Sequence, residues 1–259
     1  ATNPNIAALI VQFPKEAGLK ESDHVAITLS GSFPVLNIAA ISACQALKLK
    51  PIIIASVGSS SFGATDPAFT WLDMESYLYD QGILKYRSVA ASIGGAADDG
   101  RGLSPEGRDK IIEAIKRNNI LFINGHSLSE NIARRMDLFN QLSNNNIKAT
   151  INVGSGVASV GNPLNRDIIP AGLITRLKDF KKPYGTIALM NNNGIPVIQL
   201  LNINRLMAQH NMPIDPVPLP KPGEGKIFNR TGYNVLLVVI ASAILSTLII
   251  LMYIFNRKH

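Results

Sequence analysis

Short apolar runs rich in β-branched residues alternate along the chain with segments of helical period. The runs predict five strands, at residues 24–29, 51–57, 87–93, 120–124 and 147–153. Between them, residues 35–47, 109–117 and 128–142 place apolar side chains at the 3.6-residue spacing of amphipathic helices. This order predicts an α/β fold, in which a doubly wound, mostly parallel, Rossmann-like sheet carries helices on both faces.

Capping residues indicate where several of these helices begin. Ser127 and Glu130 have the spacing of a capping box, and Ser104, Asp66 and Asn162 each stand directly before a proline. We therefore expect helices to begin at these positions.

Two further apolar runs, at residues 185–190 and 195–200, flank the turn sequence Asn-Asn-Asn-Gly that ends at Gly194. An Asn-Gly pair between two such runs is typical of a β-hairpin. The pattern predicts a short antiparallel edge to the sheet.

The only tryptophan of the chain stands beside two acids in residues 66–75. We expect Trp71 and Met74 to pack into the core while Asp73 and Glu75 face solvent. The alternative is that the aromatic ring lines a partner surface.

Residues 235–255 carry no charged side chain, and as a helix they would extend over roughly 31 Å, the thickness of a bilayer's hydrocarbon core. The hydroxyls of Ser242, Ser246 and Thr247 can bond back to the helix itself. A proline-rich stretch precedes the run. We therefore predict an α/β domain at 1–212, a stiff, extended proline-rich tether at 213–230, and a transmembrane helix with a short basic tail at 231–259.

The net charge of +7 owes much to this membrane segment, because five of the 25 basic residues flank it. The flanking residues are Lys221, Lys226 and Arg230 before the span and Arg257 and Lys258 after it. Three basic residues before the span and two after it are too similar in number to fix the orientation of the helix. No basic stripe is left on the domain, so no nucleic-acid partner is predicted.

The residue types that would hold a metal or a cofactor are sparse. Cys44 is the only cysteine and lies in an apolar run, which excludes an intrachain disulfide and predicts an inert core residue. The four histidines are far apart in sequence, so no metal site is predicted, and neither a P-loop nor a dinucleotide fingerprint follows a strand. No cofactor is predicted.

Each of the five predicted strands is followed by a loop of small polar residues. Parallel strands end at one edge of a sheet, and ligands of such sheets bind there, so we predict a binding crevice formed by these loops. The predicted crevice residues are Ser30, Gly31, Ser32, Ser59, Ser60, Gly94, Gly95, Asp98, Asp99, Arg101, His126 and Ser155. Taken singly, each loop is also explained by ordinary turn chemistry.

A hydrolase triad is the catalytic alternative for this crevice. It would combine Ser32 or Ser59 with His126 and with Asp98 or Asp99. No Gly-x-Ser-x-Gly elbow frames either serine, so these residues are weak candidates.

Five stretches of the chain together resemble the poly-gamma-glutamate system protein family. They are residues 31–37, 56–64, 70–75, 92–95 and 152–156, and the resemblance runs from about residue 23 to residue 161. It implies a place in the bacterial membrane machinery that polymerises glutamate through its γ-carboxyl group and exports or anchors the polymer. The implied role is an accessory subunit beside an ATP-dependent ligase and a small membrane protein, and it implies no catalytic residue.

Family members begin with a hydrophobic segment, whereas this chain opens with Ala1. If such a segment was removed, two spans would place the domain outside the cytoplasm of a bacterial cell, with both ends inside.

Three functional hypotheses remain open from the sequence. The first is an anchored accessory subunit that contacts the synthase subunits or the anionic polymer. The second is a hydrolase or transferase that acts on γ-glutamyl amide bonds. The third is a small-ligand sensor that regulates the synthase.

Overall fold

The computed structural model describes residues 3–60, 63–225, 227–228 and 235–257, and the chain divides into two units, Ala1–Ile227 and Phe228–His259. In the described part of the first unit, one sheet has the strand order β4-β3-β2-β1-β5-β7-β6. The strands are β1 (His24–Ser30), β2 (Lys50–Ser56), β3 (Ala90–Ser92), β4 (Leu121–Phe122), β5 (Ile147–Val153), β6 (Gly172–Ile174) and β7 (Val197–Leu200).

Helices connect most of these strands. They are α1 (Asn5–Glu16), α2 (Pro34–Ala46), α3 (Trp71–Asp80), α4 (Pro105–Arg117), α5 (Leu128–Ser143), α6 (Val157–Val160), α7 (Asn165–Ile168), α8 (Thr186–Asn192) and α9 (Ile203–Gln209). Strand β1 pairs in parallel with β2 on one side and with β5 on the other. The predicted mostly parallel α/β fold is confirmed, and the strand order reverses beside β1.

The two faces of the sheet bury separate apolar clusters. Val25, Ile27 and Leu29 of β1 belong to the cluster under α1, α2 and α9, whereas Ala26 belongs to the cluster under α5 and α8. This alternation follows from the two-residue period of a strand. Cys44 lies in the first cluster, where burial raises the pKa of its thiol to about 12, as expected of an inert core residue.

The predicted hairpin is wrong, although the antiparallel edge exists. Residues 186–192 form helix α8, and the strand antiparallel to β7 is β6. Gly194, at a φ of 77°, follows the helix, its N–H donates to Asn191 O, and the N–H of Ile195 donates to Met190 O. An Asn-Gly pair supplies the left-handed residue that a hairpin turn needs, but a helix C-terminus needs it too.

Two of the predicted caps begin helices directly. The hydroxyls of Ser104 and Ser127 accept from backbone N–H groups at the starts of α4 and α5. The Asp66 carboxylate instead closes a turn by accepting from Ala68 N, and α3 begins at Trp71, after the cap residue Thr70. Asn162 likewise closes a turn ahead of α7.

Trp71 is fully buried in α3, as predicted, but the expectation that the neighbouring acids face solvent is wrong. Glu75 is 1 % exposed and accepts hydrogen bonds from both the N–H and the hydroxyl of Ser88. It shares the buried face with Trp71 and Leu72 because residues four apart lie on one side of a helix. The Asp73 side chain is also mostly covered.

Asp73 joins the start of α3 to the end of α4. Burial opposes its ionisation, but hydrogen bonds from Arg117, Thr70 and Asn118 outweigh that effect and lower the pKa of Asp73 to about 2. Its carboxylate therefore stays charged and serves as a structural link between the two helices.

The described part of the proline-rich stretch, residues 213–225, contains no helix or strand. It lies close to α1: Asn3 Nδ2 donates to Pro213 O at 3.3 Å, and Asn5 Nδ2 donates to Glu224 O. Ile227 packs against the first apolar cluster. Residues 226, 229–234 and 258–259 of the predicted tether, span flank and basic tail lie outside the described residues.

In the second unit, helix α10 (Val235–Asn256) is long and apolar enough to cross a bilayer. None of its 19 residues from Val235 to Tyr253 is buried inside the structure, unlike the residues of a core helix. The hydroxyls of Ser246 and Thr247 donate to carbonyl oxygens one turn earlier at 2.8 Å, as predicted.

Candidate functional site

The loops that follow β1, β2 and β3 are tied to one another by hydrogen bonds. The N–H of Gly31 donates to Ser56 O at 2.9 Å, and the N–H of Gly58 donates to Ile93 O at 2.7 Å. The N–H of Ser60 donates to the hydroxyl of Ser32, also at 2.9 Å. These three loops thus form one continuous surface at the carboxyl edge of the sheet.

The loops after β4 and β5 join the same edge. Asn131 of α5 accepts from Gly125 N at 2.6 Å and donates to Asp98 O at 3.2 Å, which links the β4 loop to the β3 loop. A Cβ atom at Gly154 would lie 2.9 Å from the ring of Phe33, so the β5 loop packs directly on the β1 loop. Five loops therefore meet around the point where the strand order reverses.

Glycine is needed where two of these loops cross. A Cβ atom at Gly31 would stand 2.2 Å from Val57 O, and one at Gly63 would stand 2.5 Å from Gly31 O. Both distances are far below van der Waals contact, so any larger residue would push the β1 and β2 loops apart.

A buried ion pair lies beneath these loops. Arg135 of α5 and Asp98 of the β3 loop are both 1 % exposed at the side chain, and Arg135 Nη2 lies 3.0 Å from Asp98 Oδ2. The hydroxyl of Ser92 donates to Asp98 and accepts from Arg135, in each case at 2.6 Å. The hydroxyl of Ser56 accepts from the same guanidinium at 3.1 Å. The acid and both hydroxyls thus find partners through Arg135 Nη2, whereas the buried Arg135 Nε has no hydrogen-bond partner among the described residues.

A second buried polar group continues this layer across the sheet. Thr28, Asn152 and Gln199 are register neighbours on β1, β5 and β7. The hydroxyl of Thr28 donates to the Asn152 side chain, whose Nδ2 donates to Gln199 Oε1 at 2.7 Å. Both amides also donate to Gly154 O. This network holds the β5 loop in place.

The sequence prediction did not identify the residues of this polar layer. They are Thr28, Ser56, Ser92, Asn131, Arg135, Asn152 and Gln199. Five of them lie on strands, and each stands next to a residue of the first apolar cluster, so its side chain is on the opposite face of the sheet. The signal in the sequence is a polar residue between apolar ones near the end of each of these strands.

The four candidate catalytic residues do not form a triad. The Ser32 hydroxyl accepts from Ser60, and the Ser59 hydroxyl donates to Gly31 O at 3.1 Å. His126 is exposed, and its backbone N–H donates to Glu130. Across the ranges that the structure describes, no hydrogen bond connects the His126 ring with either serine or with Asp98.

The other predicted crevice residues line the same edge. Asp99 pairs with the exposed Arg101 at 3.0 Å. The backbone of Gly94 forms a bridge to Asp99, and Gly95 O accepts from Asp98 N. Ser30 ends β1, and the half-buried Ser155 follows Gly154. Among the described residues no group of three or more His, Cys, Asp or Glu side chains could hold a metal ion.

The chemistry of this edge is that of a polar binding surface. It offers backbone amides, serine hydroxyls and the exposed Arg101, on loops that hydrogen bonds hold together. No protein-family model matches the chain, and no curated protein matches it either. The resemblance described above therefore rests on its sequence stretches, and the function that it implies stays a prediction.

Proposed function

We propose that this chain is a membrane-anchored accessory subunit of a bacterial complex that synthesises or exports poly-γ-glutamate. Its loops at the carboxyl edge of the sheet contact the ligase and small membrane subunits or the anionic polymer. The observation that carries the proposal is the position of the stretches that resemble the poly-gamma-glutamate system proteins.

Four of those five stretches lie at one edge of the sheet. The structure describes all of their residues except 61 and 62. Residues 31–37, 56–64, 92–95 and 152–156 include the loops after β1, β2, β3 and β5. Such loops, held by a rigid scaffold, are where binding residues of α/β proteins concentrate. A resemblance located on this surface supports a shared binding role.

The buried ion pair supports a binding role over a catalytic one. Asp98 is the only buried acid at this edge among the described residues, and Arg135 with Ser92 occupies both of its oxygens. A general base must be able to reach a substrate proton, and this carboxylate is enclosed. The edge therefore presents fixed hydrogen-bonding groups to a partner.

Helix α10 supports the membrane part of the proposal, because its length and composition suit a bilayer span. We place the protein in the bacterial cell membrane. The domain lies outside the cytoplasm in this proposal, which follows the two-span arrangement implied by the family resemblance.

Charge reversal at the proposed surface tests this function. Arg101→Glu is expected to weaken partner binding about tenfold, because it places a negative charge beside Asp99 where the partners or the polymer would dock. The measurement is co-purification of the ligase and the small membrane subunit from native membranes, together with polymer yield. Both are expected to fall.

Lys48→Glu provides the matched control. Lys48 lies just before β2, at the opposite edge of the sheet, and it resembles Arg101 in being exposed and paired with one carboxylate, that of Glu21. It is expected to leave co-purification and polymer yield unchanged. Equal behaviour of the two variants would refute the docking surface proposed here.

A further inference from the structure

A cavity of about 510 Å³ lies between the start of α2 and the start of α9. Phe33 and Leu36 line it from the α2 side, and Leu201, Ile203 and Arg205 line it from the α9 side. Because α2 follows β1 and α9 follows β7, the cavity opens at the carboxyl edge of the sheet, where ligands of such folds bind. Its volume is that of a small-molecule site.

Among the residues that the structure describes, Arg205 is the only charged one that lines this cavity, and no acid does so. The guanidinium forms no hydrogen bond or ion pair with any residue that the structure describes. An arginine with free donors binds a carboxylate through two parallel hydrogen bonds. The cavity therefore has a free cationic group at its polar side.

The N-terminal end of α2 borders the cavity, because Phe33 and Leu36 both line it. This helix of 13 residues begins after Phe33, which has no side-chain cap bond, and Pro34 has no N–H. The N–H groups of Val35 and Leu36 meet no acceptor among the described residues. Uncapped N–H groups at the positive end of a helix dipole favour an anion.

The remaining walls of the cavity are mostly apolar. They are formed by Phe33, Leu36, Leu200, Leu201 and Ile203, and Asn202 and Asn204 complete the lining. A free inorganic anion would leave these walls without contacts, whereas an apolar group would fill them.

We propose that this cavity binds a small organic monocarboxylate with an apolar body. The carboxylate meets Arg205 and the N–H groups at the start of α2, and the apolar body lies against Phe33, Leu36 and Leu201. The proposal does not rest on the accessory role. Phe33 ends the β1 loop, but the other lining residues belong to α2, to the end of β7 and to the segment that begins α9.

A neighbouring cavity of about 420 Å³ provides an internal control. It shares Asn202 and Arg205 with the first cavity, but Arg166 and Asp167 line it as well. A variant at Arg166 therefore alters the second cavity alone. A variant at Leu201 alters the first cavity alone.

Ligand-observed NMR titration of the full chain in lipid nanodiscs tests the ligand class, with empty nanodiscs as the blank. The probe is 3-phenylpropionate, for which we expect a dissociation constant of about 1 mM or tighter. Two comparison probes change one end of the molecule each: 3-phenylpropionamide carries no charge, and glutarate carries a second carboxylate in place of the apolar phenyl ring. Both are expected to bind at least about tenfold more weakly.

Three variants test the location of the site. Arg205→Gln is expected to weaken 3-phenylpropionate binding about tenfold, and Leu201→Trp is expected to abolish it by filling the cavity. Arg166→Gln is expected to bind like the unmodified protein. Arg205 and Arg166 are both exposed, so their variants keep the fold, and equal thermal unfolding midpoints will verify this.

Several results would overturn the proposal. They are a dissociation constant above about 10 mM for 3-phenylpropionate, equal binding of the amide or of glutarate, unchanged binding by Arg205→Gln, and a matching loss in Arg166→Gln. None of them bears on partner docking at Arg101, so the two proposals can fail separately.

Discussion

Replacing Arg135 by methionine is expected to lower the free energy of unfolding by about 3–5 kcal/mol. The change leaves the Asp98 carboxylate buried without its counter-charge, since Arg135 Nη2 contacts both of its oxygens within 3.2 Å. The hydroxyls of Ser56 and Ser92 lose the guanidinium as well. Chemical denaturation of the full chain in mild detergent, followed by the fluorescence of the single buried Trp71, measures the loss.

The adjacent arginine is the matched control for this experiment. Arg134 pairs with Glu130 one helical turn earlier, but both side chains are substantially exposed. Arg134→Met is therefore expected to cost only about 0.5 kcal/mol. The double variant Asp98→Asn with Arg135→Met removes both charges and is expected to regain part of the lost stability. An Arg135→Met variant as stable as Arg134→Met would contradict the structural role assigned to the pair.

The ion pair also determines how rigid the carboxyl edge is. Asp98 belongs to the loop after β3, and Asn131 ties that loop to the one after β4. Arg135 reaches the end of β2 through Ser56. A docking surface with loops fixed in this way pays little ordering entropy when a partner binds, which is why we assign the edge to recognition.

The sequence did not predict the three-residue edge strand β6, but it was sufficient for strands that are short runs rich in β-branched residues. Residues 51–57 and 147–153 are such runs, and each forms a strand within one residue of the predicted bounds. Residues 185–190 form an apolar run too, yet Ile187 and Met190 pack as one face of a helix over the second apolar cluster. Short apolar runs do not distinguish the two states, so the tertiary packing decided.

The position of the candidate site could be predicted from the sequence, but the hydrogen bonds and the ion pair within it could not. Strand order and loop composition placed Ser32, Ser59 and Asp98 at one edge, because parallel strands end together. The partner of Asp98 is Arg135, which lies on the helix after the next strand. Helical spacing puts Arg135 on the buried face of α5, three residues after Ile132 and four before Phe139. Spacing does not identify the acid that this arginine contacts, because that depends on how α5 packs against the sheet.

Glu75 is expected to produce the second large effect, as a loss of stability when the pH rises from about 4.5 to about 7. Complete burial raises the pKa of Glu75 to about 7, against the hydrogen bonds from Ser88 and the nearby charge of Arg87, which lower it. The unfolded chain releases this proton near its ordinary pKa of about 4.5.

The direction of the effect follows from which state holds the proton. Between the two pKa values the folded protein keeps Glu75 protonated while the unfolded chain has lost the proton, so rising pH favours unfolding. The stabilisation is complete below about pH 4.5 and is lost as the pH passes about 7. A pKa difference of this size corresponds to about 3 kcal/mol.

Glu75→Gln isolates this contribution, because glutamine can keep hydrogen bonds to Ser88 and does not titrate. The free energy of unfolding is measured from pH 4 to pH 8 for both proteins. Its decline over this range is expected to be about 3 kcal/mol smaller for the variant than for the unmodified protein. Glu106→Gln, at an exposed position in the first turn of α4, is expected to keep that decline in full.

Glu75→Gln is also expected to be more stable than the unmodified protein at pH 8, because an amide does not carry the cost of burying a charge beside Trp71 and Leu72. Parallel pH curves for the unmodified protein and Glu75→Gln would show that Glu75 is ionised at little cost, and that the contacts with Ser88 and Arg87 outweigh its burial.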